Sequence, residues 1–295
     1  MLDHQQRVSL TAAPIGAGGS EEADSWASSA RTTHWLDGGT HHFPADRALG
    51  RQIVEAARWF EAALEAGRHH AHRTVEMLHG AGIRQFIDLG SGLPTGRADL
   101  PPTAASAEPD AVFIHVDSDP YVVEHGPGLL AGDRARHHFM RADLRDTLRI
   151  MREIPFHGLD MNRPVAFLLH NVLHEITDTA DAAAIVRAVL HGTPPGSVLS
   201  LTHPADLVRD GSADAIAAAY AQAGLPVQWR TAEQIRDLAL PPGSSWHLRA
   251  PGITPVSLYH PPQQQRHRPG QPGRRAGDPA LGGGYAALLL HPDPA

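Results

Sequence analysis

The stretch R-Q-F-I-D-L-G-S-G-L-P-T, from Arg84 to Thr95, decides the fold of this chain. An apolar run reaches a carboxylate at Asp88 and then breaks into Gly90-Ser91-Gly92. This pattern is typical of a buried parallel strand that ends in a tight turn beneath a ligand. Because these two glycines lack a Cβ atom, they can adopt conformations closed to other residues, and a ligand can touch their backbone.

A second acidic residue follows the next predicted strand. The apolar run Val112–Val116 ends in Asp117. A glycine turn after one strand and an acid after the next predict a site for a cofactor that contains ribose.

The third position of the glycine pattern separates two cofactor classes. Dinucleotide folds use G-x-G-x-x-G, because the last glycine lets the helix pack closely while its N-terminus faces the pyrophosphate. Here that position is Thr95, and the preceding Pro94 lacks a backbone N–H that could bind phosphate. S-adenosylmethionine carries ribose and adenine without phosphate. These residues therefore favour a methyltransferase, with a nicotinamide-dependent dehydrogenase as the alternative.

The composition excludes several classes of protein. The 295 residues are 42% hydrophobic, which is enough for a sizeable core. A net charge of −7 gives no footprint for nucleic acid or an anionic membrane, and no run is long enough to span a bilayer. With no convincing signal peptide, we expect a cytoplasmic protein. There is no cysteine and no lysine, so disulfides, thiolate chemistry, a Walker lysine and a Schiff base are excluded.

The N-terminal part is predicted to form a helical cap over residues 26–82, after a disordered segment at 1–25. Apolar residues at spacings of three and four predict a helix over 46–66, with Gly67 as its C-cap. A second helix is predicted over 69–79.

The remainder, residues 83–295, is predicted to be a Rossmann-like α/β domain with a mobile low-complexity loop at about 261–284. Strands are predicted at 84–89, 112–117, 136–141, 164–169, 196–202, 253–259 and 285–290. Helices are predicted at about 120–130, 143–152, 179–191 and 212–223, with a shorter one opened by a capping box at Thr231.

Polar residues after the third and fourth strands are further candidates for the site. Asp143 could accept a hydrogen bond from an adenine amino group or cap the following helix, and one carboxylate can do both. The sequence His170-Asn171-Val172-Leu173-His174-Glu175 follows a strand at the sheet edge where ligands bind in α/β folds.

Two other chemistries fit this region poorly. A zinc site of the H-E-x-x-H type needs the glutamate between its histidines, but Glu175 lies outside the pair, so no metal site is predicted. A serine hydrolase needs G-x-S-x-G, but leucines flank the glycines around Ser91. His170 and His174 are better interpreted as walls of the cofactor or acceptor pocket, and they are the candidate catalytic bases.

The chain resembles a family of actinobacterial S-adenosylmethionine-dependent methyltransferases of unassigned substrate. The similarity spans about residues 26–260. It rests on the motifs A-R-x-x-x-W-L-x-G-G (30–39), F-x-A-D-R (43–47), A-G-I-R-Q-F-I-D-L-G-S-G-L-P-T (81–95), V-D-S-D-P (116–120), A-D-L-R-D (142–146), P-G-S-V-L-S-L-T-H (195–203) and P-G-I-T-P-V-S-L (251–258). The resemblance implies a class I methyltransferase fold with strand order 3-2-1-4-5-7-6 and an antiparallel last strand.

The resemblance also implies that the glycine turn and the strand-end acids line the cofactor site. The candidate cofactor-binding residues are Asp88, Gly90, Ser91, Gly92, Asp117, Ser118, Asp143, Leu144, His170 and Asn171. In this family Tyr-Asp-Tyr and Lys-Asp-Asn flank the double glycine, whereas this chain has Thr33-His34-Trp35 and Thr40-His41-His42, and Gly67 replaces a usual asparagine.

The sequence therefore predicts a methyltransferase that converts S-adenosylmethionine to S-adenosylhomocysteine. With no basic groove or peptide-binding signature, the expected partner is a small-molecule acceptor, without nucleic acid or membrane. The altered N-terminal motif keeps open a catalytically silent protein that binds an adenosine ligand.

Overall fold

The computed structural model describes residues 25–94, 111–130, 136–259 and 283–292. Strands in these residues form one mixed sheet. They are β1 (Gln85–Leu89), β2 (Val112–Asp117), β3 (His137–Arg141), β4 (Ala166–His170), β5 (Val198–Pro204), β6 (His247–Leu248), β7 (Thr254–Pro255) and β8 (Gly284–Leu290).

The strand order is β3-β2-β1-β4-β5-β8-β6, and β7 also pairs with β8. Strands β1 to β5 are parallel, whereas β8 runs antiparallel to β5. The predicted order and the antiparallel last strand are confirmed; the last strand is the eighth because two-residue β7 precedes it. The order reverses at β1, so a ligand crevice is expected outside the carboxyl ends of β1, β2 and β4.

Helices cover both faces of the sheet. They are α1 (Ser29–Leu36), α2 (Pro44–Ala56), α3 (Phe60–Gly80), α4 (Pro120–Leu129), α5 (Thr147–Glu153), α6 (Thr179–His191), α7 (Ser212–Gln222) and α8 (Ala232–Ala239), with 3-10 turns at Leu144–Asp146, Ile154–His157 and Val256–Leu258. Because the central strands are buried on both faces, β4 is apolar from Ala166 to Leu169. None of these helices is long and apolar enough to cross a membrane.

The predicted helix boundaries in the N-terminal part are wrong. The helix predicted over 46–66 ends at Ala56, because Ala57 is extended with φ −148° and ψ 97°. The next helix, α3, then runs through Gly67, which is not a C-cap. A Cβ atom at Gly67 would lie 3.3 Å from Asn171 Nδ2, so this glycine permits a close approach to the loop after β4.

The C-terminal part also differs from prediction. Only Thr254–Pro255 of the predicted strand 253–259 pairs with β8, and a 3-10 turn follows, while edge strand β6 was not predicted. Pro255 lacks the N–H that would extend the ladder. The segments predicted as disordered (1–25) and mobile (261–284) lie outside the described residues, except for Ser25 and residues 283–284.

Candidate cofactor and acceptor site

One cavity of about 450 Å³ lies at the carboxyl ends of the parallel strands and reaches helices α1, α3 and α7. Every residue nominated from the sequence lines it. These residues are Asp88, Gly90, Ser91, Gly92, Asp117, Ser118, Asp143, Leu144, His170, Asn171 and His174. The structure therefore brings together side chains from four segments of the chain.

The turn after β1 requires glycine at two positions, by backbone conformation at both and by lack of space at one. Both Gly90 (φ +73°) and Gly92 (φ +60°) have left-handed backbones. A Cβ atom at Gly90 would come within 2.2 Å of Val172 Cγ2, whereas one at Gly92 would meet no atom within 4 Å. The N–H groups of Gly90 and Ser91 both donate to Val116 O, at 2.7 and 3.1 Å, and fold the turn against β2.

The carboxylate of Asp117 holds this turn. It accepts hydrogen bonds from Gly92 N at 2.8 Å and from Asp119 N at 2.9 Å. Each carboxylate oxygen has a second lone pair for another donor. Burial raises the pKa of Asp117 to about 6, against the lowering effect of the two backbone N–H groups.

Asp143 caps the 3-10 turn that follows β3, as one of its two predicted roles requires. Its Oδ1 accepts from Arg145 N at 2.9 Å, and its Oδ2 lies 3.0 Å from an Arg145 guanidinium nitrogen. The side chain is 46% exposed. Leu144 beside it is buried. The contact of Asp143 with adenine stays a prediction.

The end of β4 carries His170 and Asn171. His170 Nε2 lies 2.8 Å from Ser200 Oγ, and burial lowers the pKa of this histidine to about 4. Asn171 has φ +50°, uncommon for a residue other than glycine, and its N–H donates to Thr202 O at 3.0 Å. This backbone conformation lies directly after β4, at a residue that lines the cavity.

His174 lies against a buried cation. Burial, His203 and Arg230 lower the pKa of His174 to about 3. Arg230 Nη1 donates to Leu173 O at 2.8 Å and lies 3.0 Å from His203 Nε2. His174 Nδ1 is buried and has no hydrogen-bond partner among the described residues. His174 is therefore held neutral at neutral pH.

The structure adds Glu175, which sequence reasoning used only to exclude a zinc site. Ser29 Oγ donates to Glu175 Oε1 at 2.6 Å, across 146 positions of the chain. The side chain keeps solvent contact, yet the surrounding protein raises its pKa to about 7, and the nearby Asp117 and Asp119 act in the same direction. Its one local signal was its place directly after His174.

Helix α1 is fastened over the cavity by buried polar contacts. Ser28 Oγ donates to Asp119 Oδ2 at 2.6 Å. Arg31 Nε pairs with Asp46 Oδ2 at 2.9 Å, and the Arg31 and Asp46 side chains are 7% and 0% exposed. The Arg31 guanidinium also lies 5.0 Å from the centre of the Phe43 ring. These contacts place Ser28 and Ser29, near the start of the predicted helical cap, at the cavity.

The substituted N-terminal motif mostly faces away from the cavity. Among Thr33-His34-Trp35 and Thr40-His41-His42, only Thr33 lines it. His34 is buried and packs so closely against Gly39 that a Cβ atom at Gly39 would overlap the His34 ring. Trp35 packs in the same way against Gly50. Most of these departures therefore change packing within the cap.

Part of the cavity is lined by an aromatic wall, which comes from the start of α3, the end of α7 and the segment after α7. The aromatic wall consists of Trp59, Phe60, Leu64, Tyr220, Val227 and Trp229. Trp59 Nε1 donates to Ser212 Oγ and Trp229 Nε1 donates to Ala213 O, each at 3.0 Å. Both indole N–H groups are thus satisfied within the protein. Sequence reasoning missed this wall.

The charge of the lining is predominantly negative. Its carboxylates are Asp88, Asp117, Asp119, Asp143 and Glu175. Of its arginines, Arg68 pairs with Asp37 at 2.7 Å and Arg145 pairs with Asp143. Opposite charge is favoured near such a cluster, so the cavity suits a cationic ligand better than an anionic one. In the described parts of the chain, no group of three or more histidines and carboxylates could hold a metal ion.

Known proteins resemble this chain in both sequence and fold. A profile of the S-adenosyl methyltransferase family matches residues 19–282. A candidate methyltransferase from Thermobifida fusca is 30% identical, with a TM-score of 0.77 over 91% of this chain and 96% of that one. A DUF574 family protein from Streptomyces avermitilis is 28% identical, with a TM-score of 0.74 over 91% and 99%. No curated protein matches the chain. The chain belongs to the S-adenosyl methyltransferase family.

Proposed function

We propose that this protein transfers the methyl group of S-adenosylmethionine to a small-molecule acceptor. The observation that carries the proposal is Asp117, held beside the Gly90–Gly92 turn with a free lone pair on each oxygen. An acid at the end of β2, next to a glycine turn after β1, suits the two hydroxyls of a ribose. Family membership supports the choice of S-adenosylmethionine.

The residues present fit this cofactor. Gly92 leaves open space where a Cβ atom would stand, so a ligand can approach the turn closely. Leu144 offers an apolar surface and Asp143 an exposed carboxylate for adenine. Asp88 and Asp117 favour a cation over its neutral product.

When bound, the cofactor supplies a methyl group on a sulfonium centre, which an in-line displacement transfers. The protein's part is then alignment, exclusion of water and acceptance of a proton where the acceptor has one to lose. His170 and His174 stay candidate bases, and both are neutral at neutral pH. Their pKa values of about 4 and 3 make them weak bases, because an effective base has a pKa near the working pH.

The proposal is tested by calorimetry with S-adenosylmethionine and S-adenosylhomocysteine. We expect both to bind with micromolar affinity, and the Asp117→Ala variant to bind less tightly. Failure of both ligands to bind at millimolar concentration would refute the proposal.

A second function is binding of an adenosine ligand without turnover, suggested by the altered N-terminal motif. Support for it is weaker, since only Thr33 and Gly67 of the altered residues line the cavity. Incubation with labelled S-adenosylmethionine and extracts of the host separates the two, because a methylated product excludes a silent protein. A dehydrogenase gains no support from the family comparison. The cytoplasmic location stays a prediction.

A further inference from the structure

The aromatic wall defines what kind of molecule can face the cofactor end of the cavity. Its two indole N–H groups are already bonded to Ser212 and Ala213, so Trp59 and Trp229 offer mainly their apolar surfaces. Phe60 and Val227 add further apolar surface. Such a wall binds ring-bearing molecules through apolar burial and offers few hydrogen bonds.

The charges around the wall exclude an anionic acceptor. Both arginines that line the cavity are paired with carboxylates, and neither belongs to the aromatic wall. An acceptor carrying a carboxylate or phosphate would meet Glu175, Asp117 and Asp119 without an unpaired cation among the described lining residues. Like charges at this range disfavour binding.

Glu175 lies where the acidic and aromatic parts of the cavity meet. Its Oε1 is fixed by the Ser29 hydroxyl at 2.6 Å. Ser29 also lies within hydrogen-bond reach of the Tyr220 hydroxyl, and Tyr220 belongs to the aromatic wall. The second oxygen of Glu175 has no side-chain partner described and is available to a ligand.

We infer that the acceptor is an apolar, ring-bearing molecule with a hydroxyl group and no anionic group, and that Glu175 accepts the hydroxyl proton as the oxygen is methylated. This inference rests on the proposed function. In the transfer, the acceptor oxygen forms a bond to the methyl carbon and the carbon–sulfur bond breaks. The electron pair of that bond stays on sulfur, and the hydroxyl proton passes to the Glu175 carboxylate.

The protonation of Glu175 agrees with this role. The surrounding protein and the acids Asp117 and Asp119 raise its pKa to about 7 although the side chain keeps solvent contact, so the carboxylate is about half ionised at neutral pH and is a stronger base than His170 or His174. The polar groups that face it are Ser29, Tyr220, Asp117 and Asp119. Of these, Asp117 also titrates near pH 6, so a test by pH must separate the two acids.

The acceptor class is tested with three probes that share one ring system: 2-naphthol, 2-naphthoate and 2-naphthylmethylammonium. Each is titrated calorimetrically into the full-length protein saturated with S-adenosylhomocysteine. We expect 2-naphthol to bind about tenfold more tightly than 2-naphthoate and at least as tightly as the ammonium probe. Tighter binding of naphthoate would overturn the exclusion of anions, and tighter binding of the ammonium probe would overturn the hydroxyl assignment. If 2-naphthol does not bind, the inference is wrong.

Matched phenylalanine variants test the wall. Phe60→Ala is expected to weaken 2-naphthol binding about fivefold to tenfold, because it removes a ring from the cavity lining. Phe156→Ala is the control, since Phe156 is 87% exposed and does not line the cavity. If Phe60→Ala does not fold, Phe60→Leu keeps the apolar volume and should give a smaller loss. Equal affinities of the parent and a folded Phe60 variant would contradict the placement.

Glu175→Gln tests the proton acceptor. The amide oxygen can still accept from Ser29, so the variant should fold and bind S-adenosylhomocysteine normally. In the parent, 2-naphthol should bind several-fold more tightly at pH 8 than at pH 6, as the carboxylate ionises. In the variant, the difference in affinity between pH 8 and pH 6 should shrink to the part caused by the ionisation of Asp117. An unchanged pH dependence would overturn the role of Glu175. Loss of S-adenosylhomocysteine binding by the parent itself would instead refute the proposed function.

Discussion

The sharpest test of the cofactor site is the replacement of Asp117 by alanine. In the free protein its carboxylate accepts two backbone N–H groups, from Gly92 and Asp119, and in the proposed complex it also accepts ribose hydroxyls. A hydrogen bond to a charged group contributes roughly 1.5–3 kcal/mol. Loss of one such bond should weaken cofactor binding at least about tenfold. The melting temperature should also fall, because the glycine turn loses its anchor.

The pH dependence gives an independent measure of the same residue. Because burial raises the pKa of Asp117 to about 6 in the free protein, ionisation costs stability. The stability contribution of its neutral form is present at low pH and is lost as the pH rises through 6. Cofactor binding needs the ionised carboxylate, so affinity depends on pH in the opposite direction from stability. The affinity for the cofactor should fall about tenfold from pH 7 to pH 5.

The assay is calorimetry with S-adenosylhomocysteine at pH 5 and pH 7, on the parent, Asp117→Ala, Asp117→Asn and Glu175→Gln. Asp117→Asn should bind less tightly than the parent at pH 7 and lose most of the pH dependence, since an amide does not titrate. Glu175→Gln should keep the pH dependence and so shows that Glu175 is not its source. If folded Asp117→Ala binds S-adenosylhomocysteine as tightly as the parent at pH 7, the ribose ligand lies elsewhere.

Three further outcomes follow from the geometry. Gly90→Ala should lower the free energy of unfolding by about 2–5 kcal/mol, because the added methyl group overlaps Val172 and the backbone has an unfavourable φ. Gly92→Ala, which has only the unfavourable φ, should lower it by about 1–2 kcal/mol. Urea unfolding of both variants checks this difference, and equal losses would contradict it. Asp46→Ala should cost about 3 kcal/mol and expose α1 to proteolysis, because the buried Arg31 guanidinium loses its closest carboxylate and keeps only Asp119 at 3.6 Å and a backbone carbonyl. Finally, the free energy of unfolding should fall as the pH drops from 6.5 toward 4. The lowered pKa values of several buried histidines favour the fold above pH 6.5, and this contribution is lost on acidification; it outweighs the opposite contribution of Asp117 and Glu175, because more groups share it. A urea midpoint that rises over this range would refute the prediction. The histidines concerned are His34, His70, His170, His174 and His203.

The sheet and its glycine turn could be predicted from the sequence because their causes are local. The alternation of strands with helices, the acid at the end of β2 and the two glycines each follow from the conformation of a few neighbouring residues. Asp119 before Pro120 and the capping box at Thr231 were also predictable, since each side chain satisfies an N–H of its own helix.

The break between α2 and α3 could not be predicted from periodicity, because apolar residues recur without interruption through it. Leu49, Ile53 and Ala57 pack against α7, and Trp59 donates to Ser212, 153 positions away. Tertiary contacts of this kind override local helical preference. Local sequence also marks Gly67 as a helix stop, although α3 runs through it and passes close to Asn171 there.

Glu175 and the aromatic wall were missed because no local motif marks them. Glu175 acquires its character from Ser29, which lies far away in sequence, and from the acids at the end of β2. The wall combines the start of α3 with the end of α7 and the segment after it. Such a site exists only after the chain has folded, whereas a glycine turn is visible in twelve consecutive residues.

The two ends of the cavity divide the chemistry between them. Carboxylates gather where a cationic cofactor would lie, and both lining arginines are neutralised by partners, so the field there favours the sulfonium over the uncharged product. No residue of the aromatic wall is charged, so the wall would bind an acceptor by apolar contact. Glu175 lies at the boundary, where a carboxylate whose pKa is raised to about 7 by the surrounding protein and the neighbouring acids can accept a proton released on the apolar side. The same acidic field that attracts the cofactor therefore also sets the basicity needed for transfer.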